Sequence, residues 1–194
     1  WTTLTERFLQ IARKTDFDAV ELTMDKVEPI MQGNAITRLR KDLKDLGLTV
    51  ASINGPENFN LRSDEDFSIL LDRTSKLADA AREIGCNLLI PVPSSTNVRA
   101  SKNNIAVQTA HALNKLAEAC GDDMNLGLEF LGMRECSIND LETASEVMNK
   151  VAKRNVGLVL DSFHMHLSKT DFHAVRKLAR DRIFLVHVND SEAG

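Results

Sequence analysis

The sequence has 194 residues, a length that suits one domain with a substantial core. It is 43% hydrophobic and carries a net charge of −4 with both signs mixed throughout, which argues against a protein that wraps a nucleic-acid backbone. No apolar run approaches the roughly 20 residues that a membrane-spanning helix needs. The three widely spaced cysteines favour a reducing, cytoplasmic location, and we expect buried or half-buried thiols at Cys86, Cys120 and Cys136.

Along the chain, short apolar segments alternate with stretches of helical periodicity. The clearest helical stripe runs from Phe67 to Ile84, and Ser63 and Ser137 are placed to cap helices. Such alternation predicts right-handed strand–helix–strand units and a parallel sheet. The predicted strands are residues 18–22, 48–54, 87–92, 125–130, 156–161 and 183–189.

An open doubly wound sheet and a closed barrel both produce this alternation. The fourth strand places Leu126, Leu128 and Phe130 on one face and Glu129 on the other, which is typical of a barrel strand with helices outside and a mixed interior. No glycine-rich phosphate loop follows any strand, which disfavours a nucleotide-binding open sheet. We therefore predict a (β/α)8 barrel of the TIM type. Because six of the eight strands are visible, we expect residues 1–194 to form one barrel domain lacking strand 1 and strand 8.

Three predicted strands carry metal-binding side chains near their carboxyl ends, where active sites of these barrels lie. The residues are Glu129, Asp161 and His187, and strand parity places each on the inward side. Two carboxylates and an imidazole suit Mn²⁺, Co²⁺, Zn²⁺ or Mg²⁺. His164 follows Asp161 by three residues, so it is placed to contact a substrate oxygen beside the metal.

Simpler interpretations exist for each residue taken alone. Glu129 could form a salt bridge, Asp161 could cap the next helix, and His187 could be a satisfied core histidine. The metal hypothesis rests on the coincidence that three strands each carry an inward metal-binding side chain near the carboxyl end. The remaining histidines are expected on the surface, in loops or on a helix flank: His111, His166 and His173.

Three segments resemble the metal-binding strands of the xylose isomerase-like barrel superfamily: LGLEFLGMRECSINDLETA, NVGLVLDSFHMHL and RIFLVHVNDSE. Within it, the sequence is most similar to the inosose isomerases, which act on 2-keto-myo-inositol. The resemblance implies one divalent metal held by Glu129, Asp161 and His187, with His164 contacting substrate. The superfamily's fourth ligand, a glutamate on strand eight, has no counterpart in this sequence.

The resemblance also implies a reaction, the isomerisation or epimerisation of a keto-inositol or a ketose through an enediolate. Glu129 would move the proton as well as hold the metal, and His164 would assist. Arg134, Glu21 and Asn54 are candidates for binding polyol hydroxyls.

Several alternatives remain open. An inosose dehydratase or a ketose 3-epimerase would use the same residues, and a non-catalytic sugar-binding barrel would keep the fold alone. The DNA-processing branch of the superfamily is disfavoured because residues 18–92 contain no histidine. A half-open sheet would leave two strand edges that invite pairing between subunits, so a homo-oligomer is a further expectation.

Overall fold

The computed structural model describes residues 3–95 and 101–190, which fold around a six-stranded parallel sheet. Each strand pairs with the next along the chain, so the spatial order equals the sequence order. This order confirms the barrel prediction over the doubly wound alternative, in which the strand order reverses part-way. The strands are β1 Ala19–Thr23, β2 Thr49–Glu57, β3 Leu88–Val92, β4 Asn125–Glu129, β5 Val156–Asp161 and β6 Ile183–His187.

Helices alternate with these strands, and the longer ones form an outer layer in which each packs against the next. Short helices and two 3-10 turns, Glu28–Ile30 and Arg180–Arg182, lie in the connections. No helix within the described ranges combines the length and apolarity that a membrane crossing requires. The α-helices are α1 Thr3–Lys14, α2 Met24–Val27, α3 Ala35–Leu46, α4 Asp64–Glu83, α5 Lys102–Cys120, α6 Leu141–Lys150, α7 Ser162–Leu167 and α8 Phe172–Val175.

One of the two predicted serine caps is confirmed. The Ser63 hydroxyl accepts a hydrogen bond from the backbone N–H of Asp66 at the start of α4. The prediction for Ser137 is wrong, because α6 begins at Leu141 and its cap is Asp140, which accepts from the Thr143 N–H. Ser137 is instead buried in the preceding loop, where a long-range polar contact holds it.

The core lies on both sides of the sheet. Between sheet and helices, Leu126, Leu128 and Phe130 are fully buried, as the face pattern predicts. Inside the curve of the sheet, a smaller cluster of Leu88, Ile90 and Val159 fills the space below the polar strand ends. All three cysteines are free and buried, which confirms that prediction.

The two edge strands of the six-stranded sheet are β1 and β6, so the described residues form a half-barrel. Large apolar side chains are exposed along both edges. They are Phe8, Ile11 and Phe17 beside β1, and Val186 and Val188 at the end of β6. The expectation that the domain lacks two strands stays a prediction.

Candidate metal centre at the carboxyl ends of the strands

The three predicted metal ligands meet at one place. Glu129 is the last residue of β4, Asp161 of β5 and His187 of β6, so parallel pairing sets them side by side. His187 Nδ1 lies 2.9 Å from Glu129 Oε1 and 3.7 Å from Asp161 Oδ2. Both carboxylates are only 5% exposed. Side chains separated by as many as 58 residues in sequence therefore converge at one end of the sheet.

His164 joins this cluster from the first turn of α7. One ligand atom each of Glu129, Asp161 and His164 lies within 4.8 Å of the other two. The Nδ1 atom of His164 is buried and makes no hydrogen bond within the part of the chain that the structure describes. An unsatisfied buried polar atom costs about 1–3 kcal/mol, so its presence here suits a partner from outside the protein.

The donor set fits a divalent cation of intermediate hardness. Two carboxylates and two imidazoles offer oxygen and nitrogen ligands, a mixture that Zn²⁺, Mn²⁺ and Co²⁺ accept. Burying two carboxylates without compensation is costly, and a cation between them offsets that cost. Together with the unpartnered His164 nitrogen, this chemistry fits the metal that the sequence suggests.

The neighbouring carboxylates change the pKa of His187. The bond to Glu129 and a second bond to Glu21 raise the pKa of the His187 imidazole to about 10, against the opposing effect of burial. Without a metal, an imidazolium proton thus balances part of the carboxylate charge. A bound cation would take over that role and release the proton.

Asp161 also serves the local backbone. Its Oδ1 accepts hydrogen bonds from the N–H groups of Phe163 at 2.7 Å and His164 at 3.2 Å, so it caps α7. The helix-cap interpretation of Asp161 is therefore correct, and it coexists with a position in the cluster. Because the cap anchors the first turn of α7, it also sets the position of His164.

Asn189 holds the other oxygen of Asp161 and was missed in the sequence. Its side-chain amide donates to Asp161 Oδ2, while its backbone exchanges two hydrogen bonds of 2.8 and 2.9 Å with the Ser162 hydroxyl. These contacts join the ends of β5 and β6. Strand parity was the available signal, because Asn189 lies two residues beyond His187 and so projects to the same side.

Glu21 reaches the cluster from the opposite edge of the sheet. Its Oε2 lies 3.2 Å from His187 Nε2 and accepts a 2.5 Å bond from the Ser52 hydroxyl. Burial works against ionisation of Glu21, but the bonds from His187, Ser52 and Asn54 outweigh it and leave the pKa of the carboxyl lowered. Asn54 thus lies beside Glu21, and the role of both in binding polyol hydroxyls stays a prediction.

Arg134 follows Glu129 by five residues, but the structure shows no contact between its side chain and the described residues of the cluster. It is exposed in the loop between β4 and α6, and within residues 3–95 and 101–190 its guanidinium makes no hydrogen bond. Its assignment as a substrate-binding residue stays a prediction. The other histidines are exposed, as expected: His111, His166 and His173.

The loop that carries Arg134 packs tightly on α7 through Gly132. A Cβ atom at this position would overlap the carbonyl oxygen of His164 and lie 2.7 Å from the Leu167 Cβ. Only glycine permits this approach of backbone to backbone. The loop after Glu129 and the helix that carries His164 therefore have a fixed spacing.

Comparison with known proteins identifies the family of this chain. A sequence model of the xylose isomerase-like TIM barrel matches residues 9–194. The chain belongs to the xylose isomerase-like TIM barrel family. The resemblance seen in the sequence is thereby confirmed.

Relatives within this family include several sugar-converting enzymes. The chain is 26% identical to inosose isomerase of Bacillus velezensis over 186 residues, which cover 95% of this chain and 66% of that protein. It is 24% identical to D-psicose 3-epimerase of Enterocloster bolteae over 203 residues, covering 98% of this chain and 67% of the relative. The chain thus spans about two thirds of the length of these relatives.

A solved structure shows the same fold. The crystal structure of IolI protein with a bound zinc atom superimposes with a TM-score of 0.89 at 24% identity, covering all of this chain and 70% of that one. The six-stranded half-barrel therefore corresponds to part of a xylose isomerase-like barrel.

Proposed function

We propose that the protein is a divalent-metal-dependent isomerase or epimerase that acts on a keto-inositol or a ketose through an enediolate. The observation that carries this proposal is the convergence of Glu129, Asp161 and His187 at the carboxyl ends of three adjacent strands. The inosose isomerase relatives support the substrate class, and the zinc in the IolI structure supports the metal.

In this proposal Glu129, Asp161 and His187 hold the cation beside the substrate, and His164 lies next to them. The bound cation, Mn²⁺, Co²⁺, Zn²⁺ or Mg²⁺, supplies Lewis acidity that acidifies the C–H next to the substrate carbonyl. Glu129 moves the proton between neighbouring carbons, a task usually worth about 10²–10⁴-fold in rate. Its burial excludes water, which favours return of the same proton to the substrate.

The other predicted residues act on the rest of the substrate. His164 contacts a substrate oxygen, and Glu21, Asn54 and Arg134 bind polyol hydroxyls. Reprotonation at the neighbouring carbon gives isomerisation, whereas reprotonation of the original carbon from its other side gives epimerisation. Loss of a β-hydroxyl would give dehydration instead.

Two other functions use the same site. A ketose 3-epimerase is favoured by the D-psicose 3-epimerase relatives, and a dehydratase by the 3-dehydroshikimate dehydratase of Pseudomonas aeruginosa, which is 27% identical over 190 residues. A sugar-binding barrel without activity is the third alternative. A cytoplasmic location and assembly into a homo-oligomer remain proposals.

A product assay separates these functions. The metal-loaded protein is incubated in separate reactions with 2-keto-myo-inositol and with a ketose, and the products are identified by NMR. A chiro-inositol ketone supports the isomerase, a dehydrated diketone supports the dehydratase, and conversion of a ketose alone supports the epimerase. Binding of the ketone without turnover would contradict the proposed activity.

Variants show whether the site described here performs the reaction. Glu129→Gln keeps the shape of the side chain and is expected to lower kcat by about 10²-fold or more, since it removes the proton-transferring group. Glu142→Gln, on the exposed surface of α6, is the matched control and should leave kcat unchanged.

A further inference from the structure

We propose that Glu21 is a positioning residue that fixes the His187 ring so that Nδ1, and not Nε2, faces the metal. This inference rests on the metal site of the proposed function. It gives Glu21 a role at the metal centre in addition to the proposed binding of polyol hydroxyls.

The geometry of the imidazole carries the inference. His187 Nδ1 faces Glu129 at 2.9 Å and Asp161 at 3.7 Å, whereas Nε2 faces Glu21 Oε2 at 3.2 Å. The two nitrogens of an imidazole ring point in different directions, so a ring held in this way presents one nitrogen to each partner. The nitrogen on the side of the carboxylate pair is Nδ1.

Glu21 is itself held in place by the neighbouring strand. Glu21 on β1 pairs in register with Ser52 on β2, and the fully buried Ser52 hydroxyl donates to Glu21 Oε2. Asn54 supplies another hydrogen bond to the same carboxylate. A carboxylate with two fixed donors cannot swing away, so it acts as a stationary acceptor for His187.

The arrangement matches a general property of metal-binding histidines. Such a histidine donates its second ring N–H to a carboxylate or carbonyl, which fixes the ring and makes the other nitrogen a better ligand. Here that acceptor comes from β1, at the far edge of the sheet from β6. Glu21 thus links the two edge strands through the candidate metal ligand.

The position of Glu21 also argues against a role as a direct ligand. The imidazole ring of His187 lies between its carboxylate and Glu129. Contact through His187 is therefore the way in which Glu21 reaches the metal.

The first test measures zinc affinity by titration calorimetry on the full chain. Glu21→Ala is expected to weaken binding by about 10- to 100-fold, which is the usual effect of removing a carboxylate behind a ligand. Glu21→Gln keeps an acceptor oxygen, so its zinc affinity should fall less than that of Glu21→Ala. Ser52→Ala should reduce the zinc affinity less than either Glu21 variant. Glu57→Gln, an exposed glutamate at the end of β2, is the matched control and should bind like the wild type.

The second test determines which nitrogen of the His187 ring binds zinc and which carries the proton. Long-range proton–nitrogen correlation NMR of the zinc-loaded protein should show the His187 ring metal-bound at Nδ1 and protonated at Nε2, with the signal identified by its loss in His187→Asn. In Glu21→Ala the Nε2 proton should exchange faster with water, because its acceptor is gone. Circular dichroism shows whether each variant folds. If Glu21→Ala does not fold, the same measurements are made on Glu21→Gln.

The outcomes separate this inference from the proposed function. Zinc bound through Nε2, or unchanged affinity in both Glu21 variants, would overturn the role of Glu21 and leave the metal site intact. Absence of zinc binding by the wild type, or binding that survives Asp161→Asn unchanged, would overturn both.

Discussion

The two oxygens of the Asp161 carboxylate face different partners. Oδ1 accepts from backbone N–H groups in the first turn of α7, and Oδ2 accepts from Asn189 and lies 3.7 Å from His187 Nδ1. A single side chain therefore combines a structural function with a place in the candidate metal site. Different substitutions of Asp161 can separate the helix-capping function from metal binding.

Asp161→Asn and Asp161→Ala should differ in stability but not in metal binding. Both remove the anionic ligand and should abolish measurable zinc affinity. Asparagine retains an oxygen for the helix cap, so we expect Asp161→Ala to unfold about 1 kcal/mol more easily than Asp161→Asn in metal-free urea denaturation. Equal unfolding free energies would show that the cap contributes nothing.

Asn189 should matter for metal affinity, although it lies near the surface. Removing its amide in Asn189→Ala frees Asp161 Oδ2, and we expect zinc binding to weaken about 10-fold, as for other residues that orient a ligand. Asn104→Ala, on the exposed face of α5, is the control. The same zinc dissociation constant in Asn189→Ala and the wild type would contradict this positioning role.

Cys120 provides a test of the buried core that is independent of the metal. Burial raises the pKa of its thiol to about 12, and the residue is 2% exposed. The folded state holds this proton more tightly than the unfolded state, so the stabilising effect is complete below about pH 9 and is lost as the pH rises toward 12.

Between pH 8 and pH 10 the wild type should therefore lose about 1 kcal/mol more unfolding free energy than Cys120→Ala. The measurement is urea denaturation at both pH values. Parallel losses in the two proteins would mean that the thiol has an ordinary pKa in the fold.

At the scale of elements, a buried asparagine joins three consecutive loops. The Asn60 side chain, in the loop after β2, donates to Thr109 on α5 and to Ser137, and it accepts from the Ser94 N–H after β3. The loops after β2, β3 and β4 are thus tied together beside the site. Because these groups are buried, each needs its partner.

Asn60→Ala should be strongly destabilising for this reason. It removes the hydrogen bonds of the Asn60 side chain to Thr109, to Ser137 and to the Ser94 N–H, and it leaves that buried N–H unsatisfied, so we expect a loss of about 2–3 kcal/mol in unfolding free energy. The exposed Asn104→Ala should change stability by less than about 0.5 kcal/mol. A loss in Asn60→Ala no larger than that of the control would contradict the role of the network.

The sequence predicts the strands and the ligand positions because both follow local rules. The alternation of apolar segments gives all six strands, and parity along each strand gives the inward direction of Glu129 and His187. The start of α6 was misplaced because Ser137 bonds to Asn60, 77 residues away, and no local pattern records that contact. The contact of Glu21 with His187 was missed because it depends on how far the sheet curves.

At the scale of the whole molecule, the half-barrel exposes apolar surface along both edges of its sheet. Val186 is 57% exposed on β6 and Val188 is 85% exposed just after it, and Ile11 is 50% exposed near β1. Unpaired strand edges with apolar side chains favour association with another chain. We propose that further strands or a second subunit cover these edges.

The 194-residue chain, prepared alone, should therefore self-associate in sedimentation experiments. Val186→Lys places a charge on the β6 edge and should shift the equilibrium toward the monomer. The matched control is Val107→Lys, on the outer face of α5, where the wild-type side chain is 47% exposed. This variant should not change the monomer–oligomer equilibrium. A wild-type monomer at all concentrations would contradict this expectation.

The most direct measurement for the metal centre is an anomalous-scattering map of crystals of the zinc-loaded protein. We predict one peak about 2.0–2.3 Å from a carboxylate oxygen of Glu129, a carboxylate oxygen of Asp161 and the Nδ1 atom of His187. A map with no peak among these three side chains, or with zinc bound only elsewhere, would contradict the metal centre and the isomerase or epimerase function that depends on it.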